Sequence, residues 1–241
     1  METSLPLPSK GLAYDVPLDK IIVRPMRGGD EKLLSELNIN NIETKYLALF
    51  NNKTKDGKPI VAGIDPSKLT LGDRLYILLW LRINSYSPKF KANLTCDYCF
   101  EKINVVINLD TDIPEKTLPD DFKNPQEVTL DSGEKVSLRI FTVEDEALAY
   151  EKELKEGIEK TYLYRLALSL VGSKSIPERV AFLEDLSGKD LSKIKYFHES
   201  IVHGPELDKV PYICPKCKEA GLLSLPFRPT WLIPSGTEVL G

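Results

Sequence analysis

The chain has 241 residues, of which 42% are hydrophobic and 28% are charged, and these proportions are ordinary for a soluble globular protein. The formal net charge of −4 argues against a main role in holding nucleic acid, because phosphate binding needs clustered lysine and arginine. The most apolar run, from Leu75 to Leu81, lies between Arg74 and Arg82 and is far shorter than the roughly 20 residues that cross a bilayer, so we predict no membrane span.

The first segment, residues 1–17, is predicted to be an extended N-terminal arm. It contains Pro6, Pro8, Pro17 and Gly11, which are too many breakers for a helix, and it shows too little alternation for a paired strand. Such an arm is either disordered or laid along a partner protein. Only the second alternative explains the apolar side chains in it, which are Leu5, Leu7, Leu12 and Tyr14.

Residues 18–87 are expected to form an N-terminal α/β part. Lys20–Met26 predicts a short strand, and Asp30 is expected to open the first of two helices. Thr70–Asp73 has the spacing of a capping box, with an acceptor side chain followed three residues later by a carboxylate. This pattern predicts the start of a long buried helix that leads into the next segment.

All four cysteines of the chain fall into two Cys-x-x-Cys pairs, Cys96 with Cys99 and Cys214 with Cys217. Each pair is flanked by strand-like sequence, which predicts two hairpins, in residues 88–110 and 205–226. Two such turns supply the four soft ligands of a closed tetrahedral zinc site. The pattern therefore predicts a structural zinc in a zinc ribbon that is split by an insertion of more than a hundred residues.

Two other roles for the cysteines were considered. Disulfide bonds would need an oxidising compartment, and the N-terminus has neither the basic nor the apolar region of an export signal. A redox centre needs one Cys-x-x-Cys motif beside a βαβ unit, whereas here two matched motifs lie in hairpins. Because protein thiolates fill all four positions, the metal is expected to be structural and not catalytic.

The insertion between the cysteine pairs divides into two parts. Residues 111–141 predict a turn-rich connector and a β-hairpin, with Gly133 where a positive φ is needed. Residues 142–204 predict a block of four helices, since three capping-box patterns and three glycines mark their ends. On the second helix of the block, the apolar residues that repeat every four positions are expected to face the core. They are Ile158, Tyr162, Leu166 and Leu170.

The last segment, residues 227–241, is a tail that mixes prolines with large apolar side chains. Phe227 and Trp231 in this tail are expected to dock, either onto this domain or onto a neighbouring protein. The fold class predicted for the whole chain is α+β. It is a mixed helical domain with short hairpins and a split zinc ribbon, whose two knuckles are joined across the helical insertion.

The sequence contains none of the catalytic motifs that we considered. It has no phosphate-binding glycine loop, no His-Glu-x-x-His motif and no nucleophile elbow. Its two histidines lie close together near one predicted helix end, so a Ser-His or Cys-His nucleophile is hard to build. We therefore predict that the chain is not an enzyme.

Several short motifs follow one another in a distinctive order. They are Leu7–Tyr14, Ile22–Met26 with Asp30–Glu31, Leu69–Arg82, the knuckle Cys96–Cys99 with Ile107–Leu109 behind it, and later His203–Gly204 with the second knuckle. In this order the chain resembles the baseplate hub and hub-assembly proteins of T-even-like contractile-tailed bacteriophages. The resemblance is strongest over residues 5–110 and weaker through the helical block.

The resemblance implies a structural or assembly protein that acts through contacts with other phage tail and baseplate proteins. Its place would be the virion tail baseplate, or the host cytoplasm during assembly. The family motif falls on Pro8, Ser9, Lys10 and Gly11, which favours a partner-binding arm that includes Tyr14. The resemblance leaves open whether the chain forms a homo-oligomer in a symmetric ring and whether it stays in the mature virion.

Two other functions remain as alternatives to a baseplate protein. Zinc ribbons often bind nucleic acid, and such a module would show an affinity that falls steeply with salt. A thiol oxidoreductase would show dithiol turnover in the metal-free protein and would lose it when zinc is added.

Overall fold

The computed structural model describes residues 2–15, 18–36, 42–225 and 229–234. The chain in these ranges is a mixture of helices and several small antiparallel sheets, as the α+β prediction requires. No helix in the described ranges is long and apolar enough to cross a membrane.

The N-terminal part is built on a three-stranded antiparallel sheet in the order β1-β2-β3, with strands Thr3–Pro6, Lys20–Val23 and Val61–Ala62. Three helices complete it, α1 (Gly28–Glu36), α2 (Ile42–Asn51) and α3 (Leu71–Ser85). Leucine, isoleucine and aromatic side chains from all of these elements share one buried cluster. The predicted strand and helices are therefore confirmed, with Leu37 of the first predicted helix outside the described residues.

The first residues differ from the predicted extended arm, because β1 is a paired strand. Thr3 lies opposite Val23 and Pro6 opposite Lys20, and Leu5 is buried. Since β1 is at the edge of the sheet, Pro6 can occupy it without breaking the sheet. The proline content was misleading, because a proline that interrupts a central strand is tolerated in an edge strand.

Asp30 does not cap its helix from outside but lies within the first turn, buried against Arg24. The two side chains form a bidentate ion pair with distances of 2.8 and 3.2 Å, and the backbone N–H of Arg27 donates to Asp30 at 2.7 Å. The Arg24 guanidinium and these N–H donors outweigh the effect of burial and lower the pKa of Asp30. This pair joins the β2 end to α1.

The helix α3 leads directly into the first hairpin, formed by β4 (Lys89–Thr95) and β5 (Lys102–Asn108). In the connector that follows, β6 (Glu115–Lys116) pairs far along the chain with a strand at residues 204–205. The predicted hairpin is present as β7 (Gln126–Thr129) and β8 (Lys135–Leu138), and Gly133 in its turn has a φ of +86°.

The four predicted helices of the insertion are present: α4 (Val143–Glu156), α5 (Ile158–Ser169), α6 (Ile176–Asp185) and α7 (Gly188–Ser200). Between α5 and α6, the short strand β9 (Leu170–Val171) pairs with β8. The capping boxes at Thr142 and Ser175 are complete. In each, the hydroxyl accepts from the backbone N–H three residues later, and the carboxylate of that later residue accepts from the backbone N–H of the threonine or serine.

The predicted apolar stripe on α5 is only half buried. Ile158 and Tyr162 are 72% and 45% exposed, whereas Leu166 and Leu170 are buried. The period of four was correct for a helix, but the first turns of α5 extend beyond the core that the rest of the helix contacts. On α7, the apolar side chains of Ile194 and Phe197 are buried.

The chain closes with β10 (Gly204–Pro205), the partner of β6, and with the second hairpin, β11 (Val210–Ile213) and β12 (Ala220–Leu223). A short helix, α8 (Pro229–Leu232), follows. Both hairpins and Trp231 of α8 share a second buried cluster, while the helical block and the β7–β8–β9 sheet form a third. The helical insertion thus has its own core, and the two hairpins that flank it in sequence are neighbours in space.

Candidate metal centre

The four cysteine side chains converge at one point where the tips of the two hairpins meet. Their sulfur atoms all lie within 4.8 Å of one another. The distance between the sulfurs is 3.7 Å from Cys96 to Cys217 and 3.8 Å from Cys99 to Cys214. A tetrahedral metal with bonds of about 2.3 Å to sulfur has edges of about 3.8 Å. The arrangement therefore matches the ligand set of a tetrahedral thiolate-bound ion.

The two knuckles that present these sulfurs have the same backbone geometry. In the first, the N–H of Cys96 donates to the carbonyl of Glu101 at 3.0 Å, and Phe100 N–H donates to the Cys96 carbonyl at 2.9 Å. In the second, Cys214 donates to Glu219 at 2.9 Å and Lys218 donates to Cys214 at 3.0 Å.

The residue that follows each Cys-x-x-Cys motif completes this shared geometry. Phe100 and Lys218 both adopt a positive φ, 59° and 68°, which is unusual for residues other than glycine. Two separate stretches of the chain thus adopt the same turn geometry.

Within each knuckle the first cysteine is buried and the second is partly exposed. Cys96 and Cys214 have no exposed surface, whereas Cys99 and Cys217 are at the rim. Burial opposes ionisation of Cys214, but the backbone N–H groups of Cys217 and Lys216 and the neighbouring thiols outweigh it and lower its pKa to about 6. At Cys99 and Cys217 the balance is the opposite, because the backbone N–H groups of Glu101 and Glu219 are outweighed by burial and by hydrogen bonds to the neighbouring thiols; the pKa of Cys99 is raised, and that of Cys217 is raised to about 12. Of these three thiols, Cys214 therefore most readily supplies thiolate, which is the form that binds metal.

The second hairpin carries a supporting contact that the sequence analysis missed. Tyr212 lies opposite Gly221, and its ring covers that glycine so closely that an added Cβ would stand 2.6 Å from the ring. Burial, followed by the nearby Cys96, raises the pKa of Tyr212. The alternation of residues in β11 indicates that Tyr212 faces inward. Only the pairing of β11 with β12 shows that its ring lies against a glycine.

Ser9 and Tyr14, two of the residues predicted to bind a partner through the N-terminal segment, contact Asp73 at the start of α3. The N–H of Ser9 and the hydroxyl of Tyr14 donate to the two oxygens of this buried carboxylate, at 2.9 and 2.6 Å. The predicted capping box is therefore incomplete. Thr70 accepts from the Asp73 N–H, but its own N–H donates to Tyr14, at 3.2 Å.

The rest of the Pro8–Gly11 motif is a tight turn against the same region. Gly11 has a φ of +74°, and its Cα lies so close to the Leu18 carbonyl group that a side chain would overlap it. Pro8 is buried and its carbonyl accepts from Leu118. Lys10 is the exposed member of the motif, and its side chain pairs with Asp120 at 2.5 Å.

The predicted docking of Trp231 occurs within the chain itself. Its ring contacts Phe90 of the first hairpin, with 5.9 Å between centroids, and Arg82 of α3 lies over its face. Trp231 is only 9% exposed. Phe227, the other residue predicted to dock, lies outside the described residues.

The two histidines take part in structure and not in the metal centre. His203 is buried at the start of α3, where its Nδ1 donates to the Ile201 carbonyl at 2.9 Å and its Nε2 contacts the Thr70 hydroxyl at 2.7 Å. His198 is half-buried and stacks on Phe141, and burial lowers its pKa to about 4. The Nε2 of His198 contacts the buried Ser169 hydroxyl at 3.0 Å, and this hydroxyl donates to the Leu166 carbonyl at 2.7 Å.

The architecture and the four-cysteine centre define a mixed α/β protein in which a clustered thiol site joins two distant hairpins. The chain belongs to the T4 bacteriophage base plate protein family, whose family model matches residues 3–223. This match spans both knuckles and the helical insertion between them. No curated protein and no solved structure matches the chain. Family membership indicates a structural protein of the phage tail baseplate that contacts other baseplate proteins.

Proposed function

We propose that this chain is a non-enzymatic structural or assembly protein of the hub region of a contractile phage tail baseplate, stabilised by one structural zinc ion. Family membership over residues 3–223 supports the baseplate role. The convergence of four sulfurs within 4.8 Å is the observation that carries the zinc assignment. The chain would act in the virion tail or in the host cytoplasm during assembly.

Zinc is the metal that suits this site best. Four thiolates form a soft ligand set, and a tetrahedral arrangement of them is typical of structural zinc. Bound by Cys96, Cys99, Cys214 and Cys217, the ion has no coordination position left for water or substrate. The site is therefore suited to holding two hairpins together and not to catalysis.

The proposed ion would stabilise an otherwise weak part of the chain. A two-stranded hairpin is marginally stable by itself, and β11–β12 has only four residues in each strand. Joining its tip to the longer β4–β5 hairpin ties residue 96 to residue 217 across the helical insertion. Much of the free energy of binding would then appear as free energy of folding.

Contacts with other baseplate proteins would use the exposed surfaces that remain. In the N-terminal motif, Lys10 is the residue available for such a contact, because Pro8, Ser9 and Gly11 are buried in the chain itself. A homo-oligomer in a symmetric ring would use the same kinds of surface.

The assembly role can be tested with an affinity-tagged chain expressed during infection. We expect the chain to co-purify with other tail proteins, which mass spectrometry would identify. A matched variant in which all four cysteines are serine should lose zinc, and the two samples together separate the metal from the partners. Recovery of the wild-type chain without any tail protein would contradict the proposed role, and recovery without zinc would contradict the metal assignment.

A further inference from the structure

The outer edge of β5 has backbone groups that no strand of the described chain uses. The N–H of Cys96 bonds to Glu101 at one end of the first hairpin, and Leu109 N–H bonds to Pro88 at the other. Because bonded and non-bonded pairs alternate in an antiparallel ladder, the pairs of Val106 with Lys91 and Asn104 with Asn93 are non-bonded pairs. The N–H and C=O groups of Val106 and Asn104 therefore point away from β4.

These groups face an open groove between the two hairpins. The groove has a volume of about 790 Å³ and is lined by residues 104–107 of β5, residues 111–114 and residues of the second hairpin, chiefly 211–213 of β11. No residue of β4 lines it, so it lies along the outer edge of β5. Val106 and Ile213, which both line the groove, are 59% and 68% exposed. At the end of the edge, Asp112 accepts from the outward N–H of Asn108 at 2.8 Å, which closes the edge there.

The solvent-facing side of the same hairpin is basic. The side chains on this face alternate with buried ones along each strand, and the charged members are Lys89, Lys91 and Lys102. The remaining members are Asn93, Thr95, Asn104 and Val106, so the face carries no acidic residue. No ion pair within the described ranges includes any of the three lysines.

From these features we propose that the edge of β5 binds an extended, acidic segment of another polypeptide, which adds as a strand in the groove. Main-chain bonds to Val106 and Asn104 would provide the pairing, and carboxylates of the segment would face the lysines. This inference rests on the proposed function and names the chemistry of one partner. A strand spaced 4.7–4.9 Å from β5 would also contact the exposed Ile213 side chain.

The edge itself favours a peptide over nucleic acid. A nucleic acid cannot form the paired N–H and C=O bonds that an open strand edge offers, and three lysines neutralise few phosphates. In contrast, a free edge beside a groove is the arrangement that strand addition requires.

The test uses the purified, zinc-loaded full chain and a capped peptide of alternating glutamate and valine, at low salt. We expect the peptide to shift the NMR signals of the Asn104 and Val106 amides, and a lysine–valine peptide to leave them unchanged. Methylating the peptide backbone nitrogens on alternate residues should abolish binding when the methylated edge faces β5. Methylation of the intervening residues should be tolerated.

Two variants separate the contribution of the backbone edge to peptide affinity from the contribution of the lysine charges. Val106→Pro removes the outward N–H without removing a β4–β5 bond, so it should reduce affinity at least about tenfold while zinc content is unchanged. Lys91→Glu with Lys102→Glu should weaken binding about fivefold, as expected for exposed charge pairs. Lys53→Glu with Lys55→Glu, at two exposed lysines of a loop in the N-terminal part, gives the same change in net charge and is the control for it.

The outcomes are distinct from those of the baseplate test. Failure of the acidic peptide to bind, or binding that Val106→Pro leaves unchanged, would overturn this inference even if the chain contains zinc and co-purifies with tail proteins. Salt-sensitive binding of an oligothymidylate of about twelve nucleotides at the lysine face, without binding of the peptide, would overturn this inference in favour of a nucleic-acid site.

Discussion

The tips of the two hairpins have the same backbone geometry, but their outward side chains differ in chemical character. Both knuckles use the same two backbone hydrogen bonds and one residue with positive φ. The first hairpin has strands of seven residues and a basic outer face, whereas the second has strands of four residues. The outward side chains of the second are apolar, namely Pro211, Ile213, Ala220 and Leu222.

This difference indicates that coordination of a tetrahedral ion would constrain only the backbone at the tips of the hairpins. A tetrahedral ion needs four sulfurs at defined separations, so both knuckles converge on one turn. The ion imposes no requirement on side chains that face solvent several residues away. Those faces are therefore free to differ.

The hairpins also differ in the aromatic contacts that support them. The first is covered by Trp231, which contacts Phe90, and it buries Ile103 and Ile107 in the shared cluster. The second depends on Tyr212, which packs across Gly221 in its own partner strand. Four sets of substitutions would test this contrast, beginning with the set that has the largest expected effect.

Loss of a buried cysteine should affect both hairpins equally. In Cys96→Ser and in Cys214→Ser, we expect zinc to be lost and the free energy of unfolding to fall on the order of 5 kcal/mol, because metal binding is coupled to folding. Elemental analysis and thermal unfolding would measure the two effects. A chelator should lower the stability of the wild type to that of the variants and leave the variants unchanged. A variant as stable as the wild type would show that the sulfurs do not form a clamp.

Truncation of Trp231 should act mainly on the first hairpin. Trp231→Ala leaves a cavity against Phe90 and Arg82, so we expect a loss of about 3–5 kcal/mol. Hydrogen exchange should accelerate more in β4 and β5 than in β11 and β12. Trp231→Phe, which retains an aromatic ring, should recover part of the loss, and equal acceleration in both hairpins would contradict the assignment.

Adding one methyl group at Gly221 should act on the second hairpin alone. The new Cβ would overlap the Tyr212 ring, so Gly221→Ala is expected to cost about 1–3 kcal/mol, measured by chemical denaturation. Gly29→Ala is the matched control, because nothing lies within 4 Å of the position where its Cβ would be. If both variants were equally stable, Tyr212 would not be packed as described.

Glycine at the positive-φ positions should produce the smallest effect, and the same one in both knuckles. A positive φ costs a residue with a side chain about 1–2 kcal/mol, while glycine adds entropy to the unfolded chain. Phe100→Gly and Lys218→Gly should therefore each stabilise by about 0.5 kcal/mol, seen as a small rise in Tm. Phe100→Ala retains the strain and should show no gain. A gain in one knuckle only would mean that the two tips are not equivalent.

Much of the local structure could be predicted from short sequence patterns. The capping boxes at Thr142 and Ser175 and the helices they start were confirmed, as was the β7–β8 hairpin with its glycine turn. The meeting of the four cysteines also agrees with the prediction, because paired Cys-x-x-Cys motifs have few other uses. Each capping box, hairpin turn and Cys-x-x-Cys pair involves residues close in sequence, whose preferences change little with the surrounding fold.

Predictions that depended on residues distant in the sequence were only partly correct. The N-terminal segment was predicted to be an extended arm that is disordered or laid along a partner, but Leu5 is buried in an edge strand of the chain's own sheet. Asp73 fitted a capping box, yet its carboxylate accepts hydrogen bonds from Ser9 and Tyr14. Ile158 and Tyr162 fitted a core stripe, although the core ends before it reaches them.

The sequence by itself determined the turns, the helix starts and the cysteine pairs of the candidate metal centre, because these follow from chemistry within a few residues. Only the tertiary structure decided which faces are covered and which stay open. Burial depends on what packs against a face, and the pattern within one strand or helix does not contain that information. The open edge of β5, the basic face beside it and the apolar face of the second hairpin became visible only once the two hairpins were placed side by side.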